Sequence, residues 1–474
     1  MKSVNEGSQT LLAEMLVSSF DKKFDKFSAD PSYSYTASIY NVSQTLRKAN
    51  EKAYTPKLVS IGPLHHDEPQ LQGMEAFKLR FTHKFLTRFG IGLHTIAKFA
   101  AKEESFVRGC YEGTVELAPK QLAEVIVLDG IFIVELFLEN YFIQLRDKFE
   151  IIFDTDSWMF NDLMHDMLLL ENQLPIRIME SLLNFVDLSF LNEGTMVSIY
   201  DLAHKFFKNI GNTSKLALTA RCNQARHFVE FLLFLHAPRE KHAAEPKMQL
   251  ASKKFEYTRS VGELVKAGVV LRRGEDRCLF EVSFDKDKGV LTIPKLTVNE
   301  STETFFRNLI AFEHLGYYGY FSKNITSYVM LMDRFVNTSG DVRLLVKHGI
   351  IENKFDKPAR SRKVADLFNN LHEGVLTEVN DFYFTGLCGD LNEYKKSRCD
   401  QWKASWFRWR MKLRGKWVGW KVTLRRDYFS NPWSSLSVSA AIVLLFLTVV
   451  QTVCSILQVV PVQFIANTLV VHTK

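Results

Sequence analysis

VIVLDGIFIVELFL, residues 125–138, is the stretch on which the fold turns. Eleven of its fourteen residues are Val, Ile, Leu or Phe, and the exceptions are Asp129, Gly130 and Glu135. A run this apolar either crosses a membrane or lies inside a core. Fourteen residues fall short of the ~20 that a helix needs to cross the hydrocarbon layer, and two carboxylates would be stranded there. The run is therefore expected to be a core helix within 120–148, interrupted at its acids and its glycine.

The organisation of the chain follows outward from this helix. DLMHDMLLLENQLPIRIMESLL (162–183) reads as helix with a break before Pro175, which lacks an N–H and clashes with the preceding turn. Residues 221–235 read as another amphipathic helix. HAPREKHAAEPKMQ (236–249) is polar, carries two prolines and reads as an internal linker. Beyond it the apolar period becomes two. Phe280, Val282 and Phe284 alternate in CLFEVSF, DKDKG supplies a turn ending at Gly289, and VLTIPKLTV follows. A β-hairpin is expected over about 278–298, with Pro294 arguing for an edge strand. Helical patterns resume at 302–312, 325–336 and 364–371. The body runs from 39 to 394 behind a polar leader, residues 1–38, and is long enough to bury a sizeable core. The 38 phenylalanines of the chain point to aromatic packing.

A second apolar run, LSVSAAIVLLFLTVVQTVCSIL, occupies residues 436–457. No Lys, Arg, Asp or Glu falls between Tyr428 and Thr473. At ~1.5 Å per residue the run is about 33 Å long as a helix, which matches a hydrocarbon core of ~30 Å. Leu436, Ile442, Leu445, Phe446, Val450 and Leu457 mark the expected membrane span. The expected fold class is thus mainly α with a small β-hairpin element: a large helical body plus one C-terminal transmembrane helix. With no cleavable signal at the start and a short tail, 461–474, after the span, the arrangement is that of a single-pass tail anchor. The positive-inside rule then places the body in the cytosol.

Residues 395–433 form a basic, Trp-rich juxtamembrane segment. Between 395 and 427 it holds twelve Lys/Arg and two acids, a net +10, while the whole chain is +7. With Lys474 set aside, the first 394 residues carry −4. A mildly acidic body speaks against nucleic acid as the main partner. Trp402, Trp406, Trp409, Trp417 and Trp420 recur with Leu413 and Leu424 at steps of three and four, which keeps them on one helix face. Arg408, Arg410, Lys412, Arg414, Lys416, Lys421, Arg425 and Arg426 lie mostly off that face. Such a helix is expected at a membrane interface, Trp side inward and cations on anionic lipid. Two alternatives stay open: a linker helix packing its Trp face on the body, and a target for a calmodulin-like protein. The six cysteines are dispersed and form no CxxC, which fits a reducing compartment.

The strings AYTPKLVSIGPLHH (53–66), LDGIFIVELF (128–137), LLLENQLP (168–175), FRNLIAFE (306–313), DVRLLVKHGII (341–351) and YFSNPWSSLSVSAAIVLLFLTVVQT (428–452) occur in this order over nearly the whole chain. In them the chain resembles the plant-specific family called domain of unknown function 247. The resemblance implies a mostly helical body, a C-terminal membrane span and no established enzyme activity. It also implies, for some grass members, a pollen-side role in self-incompatibility through protein recognition. The basic, Trp-rich stretch 405–426 departs from the family pattern, so the resemblance says nothing about its role.

Residue chemistry argues little for an enzyme. His65 and His66 beside Asp67 give the sharpest metal reading, yet adjacent histidines in a turn rarely chelate alone, and no HExxH or Cys/His cluster follows. Glu171 offers a buried general base with a raised pKa. The commoner use of Glu171-Asn172-Gln173 after an apolar run is to end a helix by bonding free backbone groups. Gly90-Ile91-Gly92 lacks a third glycine and a preceding strand. Asp285 and Asp287 before Gly289 imitate a calcium loop, but its twelfth position, Leu296, is not Glu. No catalytic, metal-binding or cofactor-binding residue is assigned, and no cofactor is expected. The expected function is a membrane-anchored protein-recognition or scaffolding protein without catalytic activity, its partners a membrane and another protein. The alternative is a membrane-tethered enzyme of unrecognised type, with His65, His66 and Glu171 the residues to suspect.

Overall fold

The structure is a computed structural model. It describes residues 14–22, 37–146, 158–188, 197–211, 213, 216–237, 256–274, 278–315, 323–355, 360–375 and 382–394, and beyond these only 436, 440–441, 443–448 and 450–452. The chain divides into two compact units, Met1–Lys395 and Lys396–Lys474.

The first unit is mainly helical. Its helices run α1 (Gln44–Ala49), α2 (Glu75–Phe89), α3 (Leu93–Gly109), α4 (Pro119–Tyr141), α5 (Trp158–Met167), α6 (Ile176–Leu183), α7 (Ile199–Phe206), α8 (Phe228–Leu235) and α9 (Val261–Lys266). After a stretch of strands come α10 (Thr302–Leu315), α11 (Asn324–Phe335), α12 (Ser339–Lys347) and α13 (Arg360–Asn370).

The decisive apolar run lies inside α4. This helix begins with Pro119 at its first turn, where a missing N–H costs nothing, and the N–H of Ala118 bonds Gln121 Oε1 at 3.0 Å. From Ile131 to Glu139 every residue is buried. Helices α2, α3, α6 and α7 pack around it. Each Leu, Ile, Val or Phe so buried stabilises the fold by about 1.5–3 kcal/mol relative to exposure. Phe137 anchors an aromatic cluster, its ring centroid 4.6 Å from Phe206 and 5.2 Å from Phe228.

Gly130 and the two acids do not interrupt the helix. A Cβ on Gly130 would come within 2.7 Å of Leu182 Cδ1, so the glycine is where α6 approaches closely. The acids of α4 are met by cations of α2. Lys78 Nζ lies 2.6 Å from Asp129, Arg88 binds Glu135 and Glu139, and Lys84 binds Glu139. Lys78, Asp129, Glu135 and Glu139 are all buried, so each charge is compensated at close range, as burial of charge requires.

Two small sheets carry the β structure. In the first, β1 (Val270–Arg273), β2 (Ser283–Asp285) and β3 (Val290–Ile293) lie in the order β1-β3-β2. Strands β2 and β3 pair antiparallel, Ser283 opposite Thr292 and Asp285 opposite Val290, at the place where the alternation puts a hairpin. Asp285 Oδ1 accepts the Lys288 N–H at 3.0 Å and closes the turn, so the acid serves an Asx-type bond rather than a calcium loop. Gly289 has φ +65°, and the Tyr394 ring occupies the space a side chain there would need. Strand β1 joins β3 in parallel, Val270 opposite Val290. That makes β3 the middle strand and corrects the edge-strand expectation. Pro294 sits just past Ile293, the last paired residue, where it removes no ladder bond. The chain then leaves the sheet, and β4 (Leu296–Val298) pairs in parallel with β5 (Ile351–Asn353).

Two further expectations are corrected. The linker expected over 236–249 begins in the core: His236 is fully buried and meets Phe305 edge-on at 5.4 Å. Residues 238–249 lie outside the described residues. The expected C-terminal transmembrane helix is the second correction. Among the described residues no helix is long and apolar enough to cross a membrane. The membrane localisation, the single-pass tail anchor and the cytosolic placement of the body all followed from that span, and they fall with it.

Candidate functional site

The residues that chemistry singles out are gathered where α5 gives way to α6. Pro175 has no N–H to offer, and the chain from Leu168 to Pro175 leaves the helix with several backbone groups to satisfy inside the core. Side chains do this at long range. Asp166 accepts the N–H groups of Lys57, Leu58 and Val59 at 2.9, 2.7 and 2.8 Å. Asn172 accepts from Ile61 N at 2.7 Å and donates to the carbonyls of Val59 and Asp166 at 3.0 and 3.1 Å. Gln173 donates to the carbonyls of Met167 and Leu169 and accepts from Phe228 N at 3.0 Å. Its own carbonyl takes the Tyr111 hydroxyl at 2.7 Å. The segments 57–62 and 166–175 are thus laced together, side chain to backbone, over a separation of more than a hundred residues.

Glu171 closes the outer end of this lacing. It accepts the Val42 N–H at 2.6 Å and binds Arg47, and His65 Nε2 lies 3.7 Å from it, an ionic contact beyond hydrogen-bond length. Burial pushes the carboxyl up, but His65, Arg47 and the Val42 N–H outweigh it and hold Glu171 below the ordinary glutamate value. A general base with a raised pKa is the opposite of this, so that expectation is corrected. Burial likewise pushes His65 down, while Glu171 and Glu68 outweigh it and leave the ring above the ordinary histidine value. His65 is therefore placed to carry charge between two carboxylates. His66 does not join the cluster. Among the described residues no group of three His, Cys, Asp or Glu side chains is placed to hold a metal ion.

Two side chains that the sequence reading passed over complete the lacing from α10. Asn308 accepts from Leu170 N and donates to the Ala53 carbonyl, both at 2.9 Å. Arg307, only 2% exposed, bonds Glu303 at 2.8 Å and the Asn370 carbonyl at 3.0 Å. Their signal was present: a cation and an amide side by side in FRNLIAFE, on a helix otherwise rich in Phe and Leu.

The membrane-interface residues, Trp402, Trp406, Trp409, Trp417, Trp420, Arg408, Arg410, Lys412, Arg414, Lys416, Lys421, Arg425 and Arg426, lie outside the described residues, as do Ile442 and Leu457. Leu436, Leu445, Phe446 and Val450 are described and exposed.

A different feature is open to a ligand. An open cleft of about 450 Å³ is bounded by Arg273 at the end of β1, Lys295 before β4, Val346 in the last turn of α12, Gly349 just after it, Glu352 on β5, and Arg360 with Ser361 at the start of α13. Lys295 pairs with Glu352 at 2.6 Å, and Glu352 also accepts the Thr297 hydroxyl at 3.1 Å. The Lys295 bond is the main reason the Glu352 carboxyl sits below its ordinary value. The first signal for this cleft lies in residues 341–363, where seven Lys/Arg stand against three acids.

The family model described as a plant protein of unknown function matches residues 39–447. Two curated relatives come from Arabidopsis thaliana. One, the UPF0481 protein At3g47200, is 28% identical over 444 residues, covering 89% of this chain and 86% of its own. The other, the putative UPF0481 protein At3g02645, is 23% identical over 510 residues, covering 88% and 89%. No solved structure matches the chain.

Proposed function

Because the chain belongs to domain of unknown function 247, a family of plant proteins, we propose that it acts by recognising or scaffolding another protein rather than by catalysis. The observation that carries this reading is the lacing around 166–173. Asp166, Glu171, Asn172 and Gln173, the polar side chains best placed for chemistry, are engaged with backbone groups or counter-ions and are buried. A side chain whose donors and acceptors are spent on the fold has none left to move a proton on a substrate. What remains for function is surface, of which the cleft at Lys295, Glu352 and Arg360 is one open part. A role in pollen self-incompatibility, implied for some grass relatives, rests on no residue of this chain.

The test combines crosslinking in plant tissue with two variants, His65→Ala and Glu171→Gln. A reproducible protein partner crosslinked to the body, and retained by both variants wherever they fold, supports recognition. Stoichiometric metal in the purified chain that is lost in His65→Ala would instead revive the enzyme.

A further inference from the structure

We propose that His65 is a proton-operated latch on the strap Asn41–Ala49, holding it to Glu171 while the imidazole is charged and releasing it when the ring is neutral. The inference goes beyond the recognition reading and does not rest on it. The strap is fixed at both ends. Ile39 pairs with Tyr111, and the Ile39 carbonyl accepts the Glu112 N–H at 2.9 Å. Asn41 adds two bonds to Glu112 beside this end. At the other end Asn50 Nδ2 donates to Glu303 at 2.6 Å, and the Ala53 carbonyl accepts from Asn308 at 2.9 Å. Between the ends, the strap's ties to the rest of the fold converge on one buried carboxylate. Glu171 accepts the Val42 N–H at 2.6 Å and binds Arg47. Helix α1, which fills most of the strap, has six residues and is too short to hold its shape without that tie.

The charged groups facing His65 come from its own loop and from two other elements. On the loop, Glu68 meets Nδ1. From the segment after α5, Glu171 Oε2 lies 3.7 Å from Nε2, and Arg47 of α1 binds that same oxygen. His65 Nε2 makes no hydrogen bond, so its hold on Glu171 is charge alone. A charged imidazole carries an N–H on both nitrogens and attracts both carboxylates. When the Nε2 proton leaves, a lone pair faces Glu171, which then keeps Arg47 as its one cation. His65 and Glu171 are both buried, so salt screens the change little. The two carboxylates outweigh burial and hold the ring above its ordinary value. The latch is therefore complete below 6.5 and is lost as pH rises through the folded value. Release draws Val42 and Leu46, both buried, out of the core and bares Glu171.

The experiment is amide hydrogen exchange of the full chain from about pH 6 to about pH 9, with the intrinsic base catalysis of exchange divided out. Segment 41–49 is compared with the core helix α8. A strap that opens locally is expected to exchange about a hundredfold or more faster than α8 at every pH. Its corrected rate is expected to rise at least about fivefold across the range, the low end for one ligand coupled to a conformational change. In His65→Gln the strap is expected to exchange fast at both ends of the range, with no pH response. Glu68→Gln removes one of the two carboxylates that hold the proton, so the midpoint of the response is expected to move to lower pH. That shift keeps the proposal testable if His65→Gln fails to fold, and a merely structural histidine would not produce it. Strap exchange no faster than that of α8, or unchanged with pH, overturns the latch. A response that survives in His65→Gln, or a midpoint unmoved in Glu68→Gln, overturns it as well. None of these outcomes bears on whether the chain has a protein partner, which the crosslinking decides.

Discussion

At the residue scale, buried charge is where this fold is most exposed to change. Lys78 is wholly buried and meets Asp129 at 2.6 Å, and Asp129 also takes the Gly62 N–H at 2.8 Å. Burial pushes the Asp129 carboxyl up, while Asp129 and Glu75 hold Lys78 above its ordinary value against burial. Lys78→Met leaves the carboxylate without its cation and is expected to cost about 3–5 kcal/mol in urea unfolding. Adding Asp129→Leu to it is expected to recover part of that loss, because an apolar pair of similar volume strands no charge. Gly62 is constrained twice: it has φ +78°, and a Cβ would fall 2.6 Å from both the Gln173 carbonyl and the Tyr111 hydroxyl. Gly62→Ala is expected to destabilise by more than about 2 kcal/mol, seen as a lowered thermal midpoint.

The histidines set the pH response. His65 is raised in the fold, so its contribution is complete below its unfolded value of 6.5 and is lost as pH rises through the folded value. Glu171 is lowered, so its contribution is present above 4.5 and is lost as pH falls through its folded value. The cluster therefore stabilises best between the two. Burial lowers His236 to about 3, and a lowered histidine loses its contribution as pH falls from 6.5. His65→Gln is expected to flatten the alkaline side of the stability profile, and His236→Leu to flatten part of the acid side, as read by urea midpoints from pH 4 to 9.

At the element scale, helix ends couple neighbours. Thr338 and Asp341 form a capping box at the start of α12, and Asp341 Oδ1 also accepts the Gly262 N–H of α9 at 2.9 Å. Asp341→Ala is expected to cost about 1–2 kcal/mol and to speed hydrogen exchange at Gly262, since one side chain caps two helices. Much of the helical architecture was legible in sequence for a simple reason. An unbroken apolar run punctuated by two acids is too short to cross a membrane and too apolar for a surface, which left the core. The hairpin was equally legible, from alternation ending in a glycine turn. The parallel pairings β1–β3 and β4–β5 were not, because strands of three or four residues joined across long connections leave no periodic trace. The lacing around Asp166, Asn172 and Gln173 was legible only as a helix stop. Its partners lie at 57–62, far away in the chain, and no local pattern announces a side chain bonding a distant backbone. The run at 436–457 failed for the opposite reason: composition satisfied the requirement for a span, while among the described residues no helix is long and apolar enough to cross a membrane.

At the scale of the whole molecule, the chain is a laced helical body, Met1–Lys395, followed by a separate compact unit, Lys396–Lys474. The body spends its most reactive-looking polar side chains on holding segments 57–62, 166–175 and α10 together, and presents an open cleft at its surface. The central claim is that these side chains are structural. Urea unfolding of Asn172→Ala at pH 7 tests it most directly. Removing this buried amide leaves the Ile61 N–H and the Val59 carbonyl without partners, and the account predicts a loss of about 2–4 kcal/mol. Stability unchanged from the native chain would contradict it and return the segment to the list of residues free for chemistry.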